Sequence, residues 1–214
     1  MKQLLPNALF ITGTDTGVGK THVACALIQQ YVAQGYKVIG MKPVAAGSDF
    51  IDDAWVNDDV LKLEAASNVK APRALINPYS LNPAIAPHIA AELAGVEIKI
   101  EVIKEAFEQL KKLADIVIVE GAGGFLVPLN NEQSMADLPA ALGMHVILVV
   151  GMKLGCINHS LLTVEAIKAR GLILHGWVAN QIEPEMDFYN QNMATIAQKI
   201  NLKSMFLSEF QPKW

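Results

Sequence analysis

Gly13-Thr14-Asp15-Thr16-Gly17-Val18-Gly19-Lys20-Thr21 lies between an apolar run, Ala8-Leu9-Phe10-Ile11, and a helical pattern over residues 20–34. Strand, loop and helix in that order form the setting in which a backbone cradles phosphate. Glycines let several main-chain N–H groups converge on one anion, because no Cβ blocks the approach. In such a loop Lys20 reaches the β- and γ-phosphates, and the Thr21 hydroxyl suits a Mg²⁺ ion. The spacing departs from G-x-x-x-x-G-K-[ST] at one point. Thr14 stands where the first glycine belongs, and Gly13 lies one position earlier.

The rest of the composition agrees with a buried sheet behind that loop. Of 214 residues, 52% are apolar and 18% charged, enough for a sizeable core in a single domain spanning 1–214. No apolar stretch has the length that spans a bilayer. The first residues, Met1 to Pro6, carry one positive charge and no cleavage pattern, so no signal peptide and a cytoplasmic location are expected. A net charge of −4 argues against nucleic acid as the main partner. The two cysteines, Cys25 and Cys156, are far apart in sequence, and both read as packing residues, not as a disulfide.

Apolar runs alternate with helical patterns along the chain. Strands are expected at 8–13, 36–42, 115–120, 145–150, 174–179 and 203–207, and helices at 20–34, 54–66, 86–94, 100–113, 135–142, 160–170 and 187–199. Ile116-Val117-Ile118-Val119 and Val146-Ile147-Leu148-Val149-Val150 are continuous runs of the kind buried on both faces. The alternation predicts an α/β fold: three layers, helix–sheet–helix, around a mostly parallel buried sheet, as in P-loop nucleoside triphosphatases. Residues 71–87 read as an irregular excursion.

Ligands of such sheets bind beyond the carboxyl ends of the strands. Polar residues cluster there. Lys42-Pro43 follows the second strand, where a compact cation can face a phosphoryl or carboxylate anion. Glu120-Gly121-Ala122-Gly123-Gly124 follows the third, with Glu120 placed to meet a metal. Asp52, Asp53, Asp58 and Asp59 flank Trp55, and spacing alone leaves open which of them is a ligand. Residues 155–158, after the fourth strand, read as a helix N-terminus able to hold an anion. His159 reads as structural. Asn180 closes the fifth strand with an amide able to meet the edge of a base.

Together these pieces resemble the ATP-dependent dethiobiotin synthetases. The resemblance rests on Gly13-Thr14-Asp15-Thr16 with Val18-Gly19-Lys20-Thr21, Lys42-Pro43-Val44 with Gly47, Asn77-Pro78-Tyr79 and Pro87-His88. It continues through Val119-Glu120-Gly121-Ala122-Gly123-Gly124, Pro128-Leu129, Val149-Val150-Gly151, Lys153-Leu154-Gly155-Cys156-Ile157-Asn158-His159 and Gly176-Trp177-Val178-Ala179-Asn180. These come in the family's order over about residues 8–182.

The resemblance implies ATP and Mg²⁺ as cofactors and 7,8-diaminononanoate and CO₂ as small-molecule substrates. It implies a homodimer that binds neither nucleic acid nor membrane. Lys20, Lys42 and Thr16 become the catalytic residues. Gly17, Val18, Gly19, Lys20, Thr21 and His22, with Glu120, Gly121, Ala122, Gly123 and the adenine-contacting Asn180, become the nucleotide site. Thr21, Asp59 and Glu120 become the metal ligands. Lys42, Ala46, Leu154, Gly155, Cys156 and Asn158 become the substrate site, with residues 154–158 reaching across the dimer. Three positions depart from the family: Gly17 where some members have Glu, Ala46 where some have Ser, and a short end, residues 208–214, expected to leave the base less covered and nucleotide preference weak. The competing reading is a P-loop switch ATPase of the partition or delivery type. Such proteins carry a second lysine early in the loop, and residues 14–18 hold none.

Overall fold

The computed structural model describes residues 6–51 and 53–208. Its elements, in chain order, are β1 (Ala8–Gly13), α1 (Lys20–Ala33), β2 (Val38–Met41), β3 (Val44–Ala46), β4 (Asp49–Ile51), β5 (Ala54–Val56), α2 (Asp58–Ala66), α3 (Arg73–Ile76) and β6 (Tyr79–Leu81). Then come α4 (Pro87–Leu93), α5 (Ile100–Leu110), β7 (Ile116–Glu120), α6 (Asp137–Ala141), β8 (His145–Met152), α7 (Cys156–Ala169), β9 (Leu174–Gln181), α8 (Tyr189–Ile200) and β10 (Leu207–Ser208).

Six strands form one wholly parallel sheet in the order β10-β9-β8-β1-β7-β2. β1 lies between β7 and β8, with Phe10 in register with Val119 on one side and Val146 on the other. Parallel pairing requires crossovers, and the helices supply them on both faces. The expected three-layer α/β class is the one observed.

Side-chain alternation along each strand sorts the core into two faces. Leu9 and Ile11 of β1 join Val23, Leu27 and Ile28 of α1 on one face. Ala8 and Phe10 join Ile103, Phe107 and Leu110 of α5 on the other. α5 buries Ile100, Ile103, Ala106, Phe107 and Leu110, the spacing of a single helical face. Leu148, Val150 and Trp177 continue the second face beneath α7 and α8. Burying one such side chain is worth about 1.5–3 kcal/mol.

Most element ends shift by one to three residues from the sequence expectation, and four differences are larger or change the type of element. Residues 54–66 are not one helix. Ala54–Val56 pairs antiparallel with Asp49–Ile51 in an exposed hairpin, with Phe50 and Trp55 in edge contact at 5.2 Å. α2 starts only at Asp58, because Asn57 accepts the Asp59 N–H as its N-cap. Residues 71–87 are more ordered than expected: they hold α3 and β6, which pairs in parallel with β3. α7 begins at Cys156, four residues before the expected start. In the expected last strand, 203–207, only Leu207 pairs with the sheet, and the pairing continues to Ser208.

The buried indole of Trp177 donates to the Leu202 carbonyl at 2.8 Å and fills the space between β9 and α8. Trp177→Phe strands that carbonyl and leaves a cavity. The expected cost is about 2–4 kcal/mol in urea unfolding, with an unchanged slope. A loss below about 0.5 kcal/mol would show that this pairing does not hold α8 to the sheet.

Candidate functional site

The carboxyl ends of β1, β2, β7 and β9 meet at a cleft of about 1350 Å³. The glycine-rich loop forms its floor. Gly19 is the N-cap of α1 at φ +88°, and no side chain caps the helix. The first N–H groups of α1 therefore lack intrahelical partners and are available to an anion. Glycine is required at 19 on two counts: φ is in the left-handed region, and a Cβ there would collide with the Asn180 carboxamide. That carboxamide is itself committed, since Asn180 Nδ2 donates to the Val18 carbonyl at 2.8 Å. A carbonyl acceptor fixes which way the amide points, and it leaves Oδ1 and the second Nδ2 proton for a ligand.

Asp15 organises the loop. Its Oδ1 accepts the Thr16 N–H at 2.7 Å, and its main-chain oxygen accepts Lys20 Nζ at 2.9 Å. The Thr14 N–H donates to the Val149 carbonyl at 3.0 Å and seats the loop on β8.

A charged cluster faces this floor. Lys42, 5% exposed, places Nζ 2.9 Å from Asp59 Oδ2 and 2.5 Å from Glu120 Oε1. The Thr21 hydroxyl donates to the same Glu120 oxygen at 2.8 Å. Each member arrives from a different element: Lys42 from the end of β2, Asp59 from the first turn of α2, Glu120 from the end of β7 and Thr21 from α1. The backbone of Lys42 is held as well. Its N–H donates to Ile76 O at 2.9 Å, and its carbonyl accepts Asn77 Nδ2 at 2.6 Å.

Burial and pairing compete at every one of these groups. Burial alone would lower the Lys42 pKa, but Glu120 and Asp59 outweigh it and hold the ammonium above its ordinary value. Burial would raise Asp59, and the Lys42 cation beside it pulls the carboxyl below its ordinary value instead. Glu120 is raised: burial dominates, Asp59 adds to it, and Lys42 offsets only part. Lys20, nearly buried and facing Lys42, falls to about 8, with burial the first cause and the like charge the second. Glu120 Oε2 is buried with no hydrogen-bond partner among the described residues.

The cleft gathers Thr16, Gly17, Gly19, Lys20, Thr21, His22, Lys42, Ala46, Asp59, Glu120, Ala122, Gly123 and Asn180 from the sequence expectation. Val18 and Gly121 stand behind it. The Val18 side chain is buried in the core, and the Gly121 N–H pairs with Ile11 O. Leu154, Gly155, Cys156 and Asn158 do not line this cleft. They lie beyond β8, with Leu154 96% exposed and Cys156 buried among Val150, Met152 and Val164. Asp58 is exposed and Asp59 faces Lys42, so α2 itself separates two residues that spacing left equivalent. Cys25 packs against the α1 face of the core as expected, but it is half-buried and also lines the cleft, and burial, with Glu120 and Asp59 next, raises its thiol to about 11. Cys156, also raised by burial, keeps its packing role.

Sequence reasoning missed the wall opposite the loop, Ala84 to Pro87, and the pair Gln181-Ile182. Pro87 at the first turn of α4 was the available signal for the former. For Gln181 the signal was its place at the end of β9.

A family model described as an AAA domain matches residues 7–206. Among solved structures, the septum site-determining protein MinD from Pyrococcus horikoshii, complexed with Mg-ADP, superposes with a TM-score of 0.57 at 15% identity, covering 97% of this chain and 83% of that one. The MinC:MinD complex from Aquifex aeolicus gives 0.59 at 14%, covering 97% and 83%. These two share the fold. The sequence relatives say more. The ATP-dependent dethiobiotin synthetase of Nitrosospira multiformis is 57% identical over 192 residues, 90% of this chain and 83% of that protein. That of Aromatoleum aromaticum is 52% identical over 196 residues, 92% and 87%. With a phosphate loop facing a lysine–carboxylate cluster and relatives this similar over nearly its whole length, the chain belongs to the ATP-dependent dethiobiotin synthetase family.

Proposed function

We propose that this chain carboxylates 7,8-diaminononanoate with CO₂ and closes it to dethiobiotin at the expense of ATP; its relatives are named ATP-dependent dethiobiotin synthetases. The observation that carries this reading is the Lys20–Lys42–Asp59–Glu120 cluster above the loop, in a family of this activity. One amine adds to CO₂ and loses a proton, giving a carbamate. A carbamate oxygen attacks the γ-phosphorus, and ADP departs. The second amine attacks the carbamoyl carbon, expels phosphate and loses a proton as the ring closes.

Little covalent work falls to the protein; it positions groups and balances charge. Lys20 holds the β- and γ-phosphates on the N–H groups of the loop. Lys42, fixed by Ile76 and Asn77, meets the carbamate and the transferring phosphoryl group. Removing one such donor typically lowers the rate about 10²–10³-fold. Thr16 stands at the phosphates, and the free Oδ1 of Asn180 accepts from the base. Gln181 and His22 also line the cleft.

Mg²⁺ fits the donor set of Thr21, Asp59 and Glu120: all are oxygens, and buried Glu120 Oε2 has no other partner among the described residues. When bound, the ion neutralises charge on the β- and γ-phosphates. Among the described residues no helix is long and apolar enough to cross a membrane, and the cytoplasm, where ATP is made, is the proposed compartment.

The proposed assembly is a homodimer with residues 154–158 of one subunit holding the carboxylate of substrate bound to the other. Two features support it. Leu154 is almost fully exposed at the N-terminus of α7, and Ile85, in the cleft wall before α4, and Ile89 and Leu93 on α4 are exposed apolar side chains.

ATP turnover should require both the diamine and bicarbonate. Hydrolysis at an equal rate without them would favour the switch-ATPase reading instead.

Glu120→Gln and Asp59→Asn keep shape and remove charge, so the Mg²⁺ dependence of turnover should move to higher concentration by about tenfold or more. Unchanged titrations in both variants would refute the metal assignment.

In the free protein Lys20 loses its proton near 8. Bound phosphates favour the ammonium, so binding takes up a proton above that pH. The Kd for Mg·ATP should be flat below about pH 8 and weaken toward tenfold per pH unit above it. Lys20→Met should abolish turnover and flatten the profile. Calorimetry from about pH 7 to about pH 9.5 tests this, and a wild-type Kd constant throughout would overturn it.

Mixing a Lys42→Ala chain with a Gly155→Trp chain, each inactive alone, should restore up to about a quarter of wild-type activity, because each heterodimer has one intact site. No recovery after demonstrated subunit exchange would overturn the shared site.

A further inference from the structure

The turn that introduces α7 is tied to the phosphate loop by an ion pair that neither the loop motif nor the cleft requires. Lys153 Nζ lies 3.5 Å from Asp15 Oδ2, while Asp15 Oδ1 accepts the Thr16 N–H and Asp15 O accepts Lys20 Nζ. All three oxygens of Asp15 are thereby engaged: one with the phosphate-binding lysine, one with the loop backbone and one with Lys153. On the other side, the Lys153 carbonyl accepts the Cys156 N–H at 3.0 Å, which sets the first turn of α7. The two elements also touch without charge. Thr14 N–H pairs with Val149 O, and a Cβ at Gly151 would lie 2.8 Å from Val18 Cγ1.

We propose that Lys153 is a positioning residue that couples the nucleotide site to the N-terminus of α7, so that nucleotide bound in one subunit strengthens diamine binding by the segment that subunit lends to its partner. This rests on the shared-site reading above. Phosphate entering the loop fixes Lys20 and the loop backbone, including both hydrogen bonds to Asp15. A fixed Asp15 carboxylate holds Lys153, and Lys153 holds the turn that carries residues 154–158. Ordering of the turn is then shared between two ligands, which is a coupling free energy and must act equally in both directions. The pair is partly exposed, so the coupling is modest and screened by salt.

The test measures binding, not turnover. Calorimetry gives the Kd of 7,8-diaminononanoate with and without saturating Mg²⁺ and β,γ-methylene-ATP, for the wild type, Lys153→Gln and Lys153→Arg. The wild type should bind the diamine about three- to fivefold more tightly with nucleotide present. Lys153→Gln should lose that ratio while keeping its nucleotide Kd within about twofold, and Lys153→Arg should retain it. The ratio should also shrink when salt rises from about 0.05 M to about 0.5 M. Asp15→Asn removes the same pair from the loop side and should lose the ratio as well, which keeps the test open if Lys153→Gln fails to fold. A wild-type ratio of one, or an unchanged ratio in both neutral variants, overturns the coupling. Failure of the wild type to bind the diamine at all, or of mixed subunits to regain activity, instead overturns the reading on which it rests.

Discussion

A buried ammonium between two carboxylates governs the geometry around it. Lys42 is almost fully removed from water, and no such cation is tolerated without partners. Glu120 and Asp59 supply them, and Thr21 adds a donor to Glu120. Because the four residues come from β2, α2, β7 and α1, their pairing fixes the relative positions of four elements at the carboxyl edge of the sheet. Removing the Lys42 cation leaves the Glu120 carboxylate, fully buried, without its counter-charge, at a cost of about 3–5 kcal/mol. The arrangement also leaves unmet demand for ligands. The Lys20 pKa is lowered to about 8 by burial and by the facing cation, and one Glu120 oxygen has no partner among the described residues. An incoming polyanion with a hard cation meets both demands together.

Much of this was legible in the sequence because the parallel sheet enforces a simple rule. Gly13, Lys42, Glu120 and Asn180 each lie within a residue of the end of a largely apolar strand, and all four end up at the same edge. What was not legible depended on side chains that act locally against the periodic pattern. Ala54 to Ala66 has apolar spacing compatible with one helix, yet Asn57 caps at Asp59, and the residues before it pair back onto 49–51. Ser160 looked like the start of α7. Its hydroxyl instead bonds the Cys156 carbonyl at 2.6 Å, one turn back inside the helix.

Asp52 lies outside the described residues, and which of Asp58 and Asp59 meets Lys42 was likewise beyond spacing. It is decided by which face of α2 looks at β2, and that depends on a cap one residue before the helix. The wall from Ala84 to Pro87 was hidden for a different reason. Small apolar residues in an irregular segment carry no periodicity, and only β6 pairing with β3 brings them to the cleft. Residues 209–214, on which the expectation of a weak nucleotide preference rested, lie outside the described residues.

The exposed hairpin has a further consequence. Both its feet are pinned: Asn57 Nδ2 donates to the carbonyls of Ala46 and Gly47, at 3.4 and 3.2 Å, and Asn82 Nδ2 donates to Ser48 O at 3.0 Å. The gap that the hairpin bridges is thus closed by hydrogen bonds below it, independent of what the intervening residues do. Lengthening a surface loop whose ends are already fixed costs little, roughly 0.6 kcal/mol per doubling. Residues 49–56 are therefore where the chain can gain or lose length in evolution, or accept a graft, while Ala46 and Asp59 stay where the chemistry needs them.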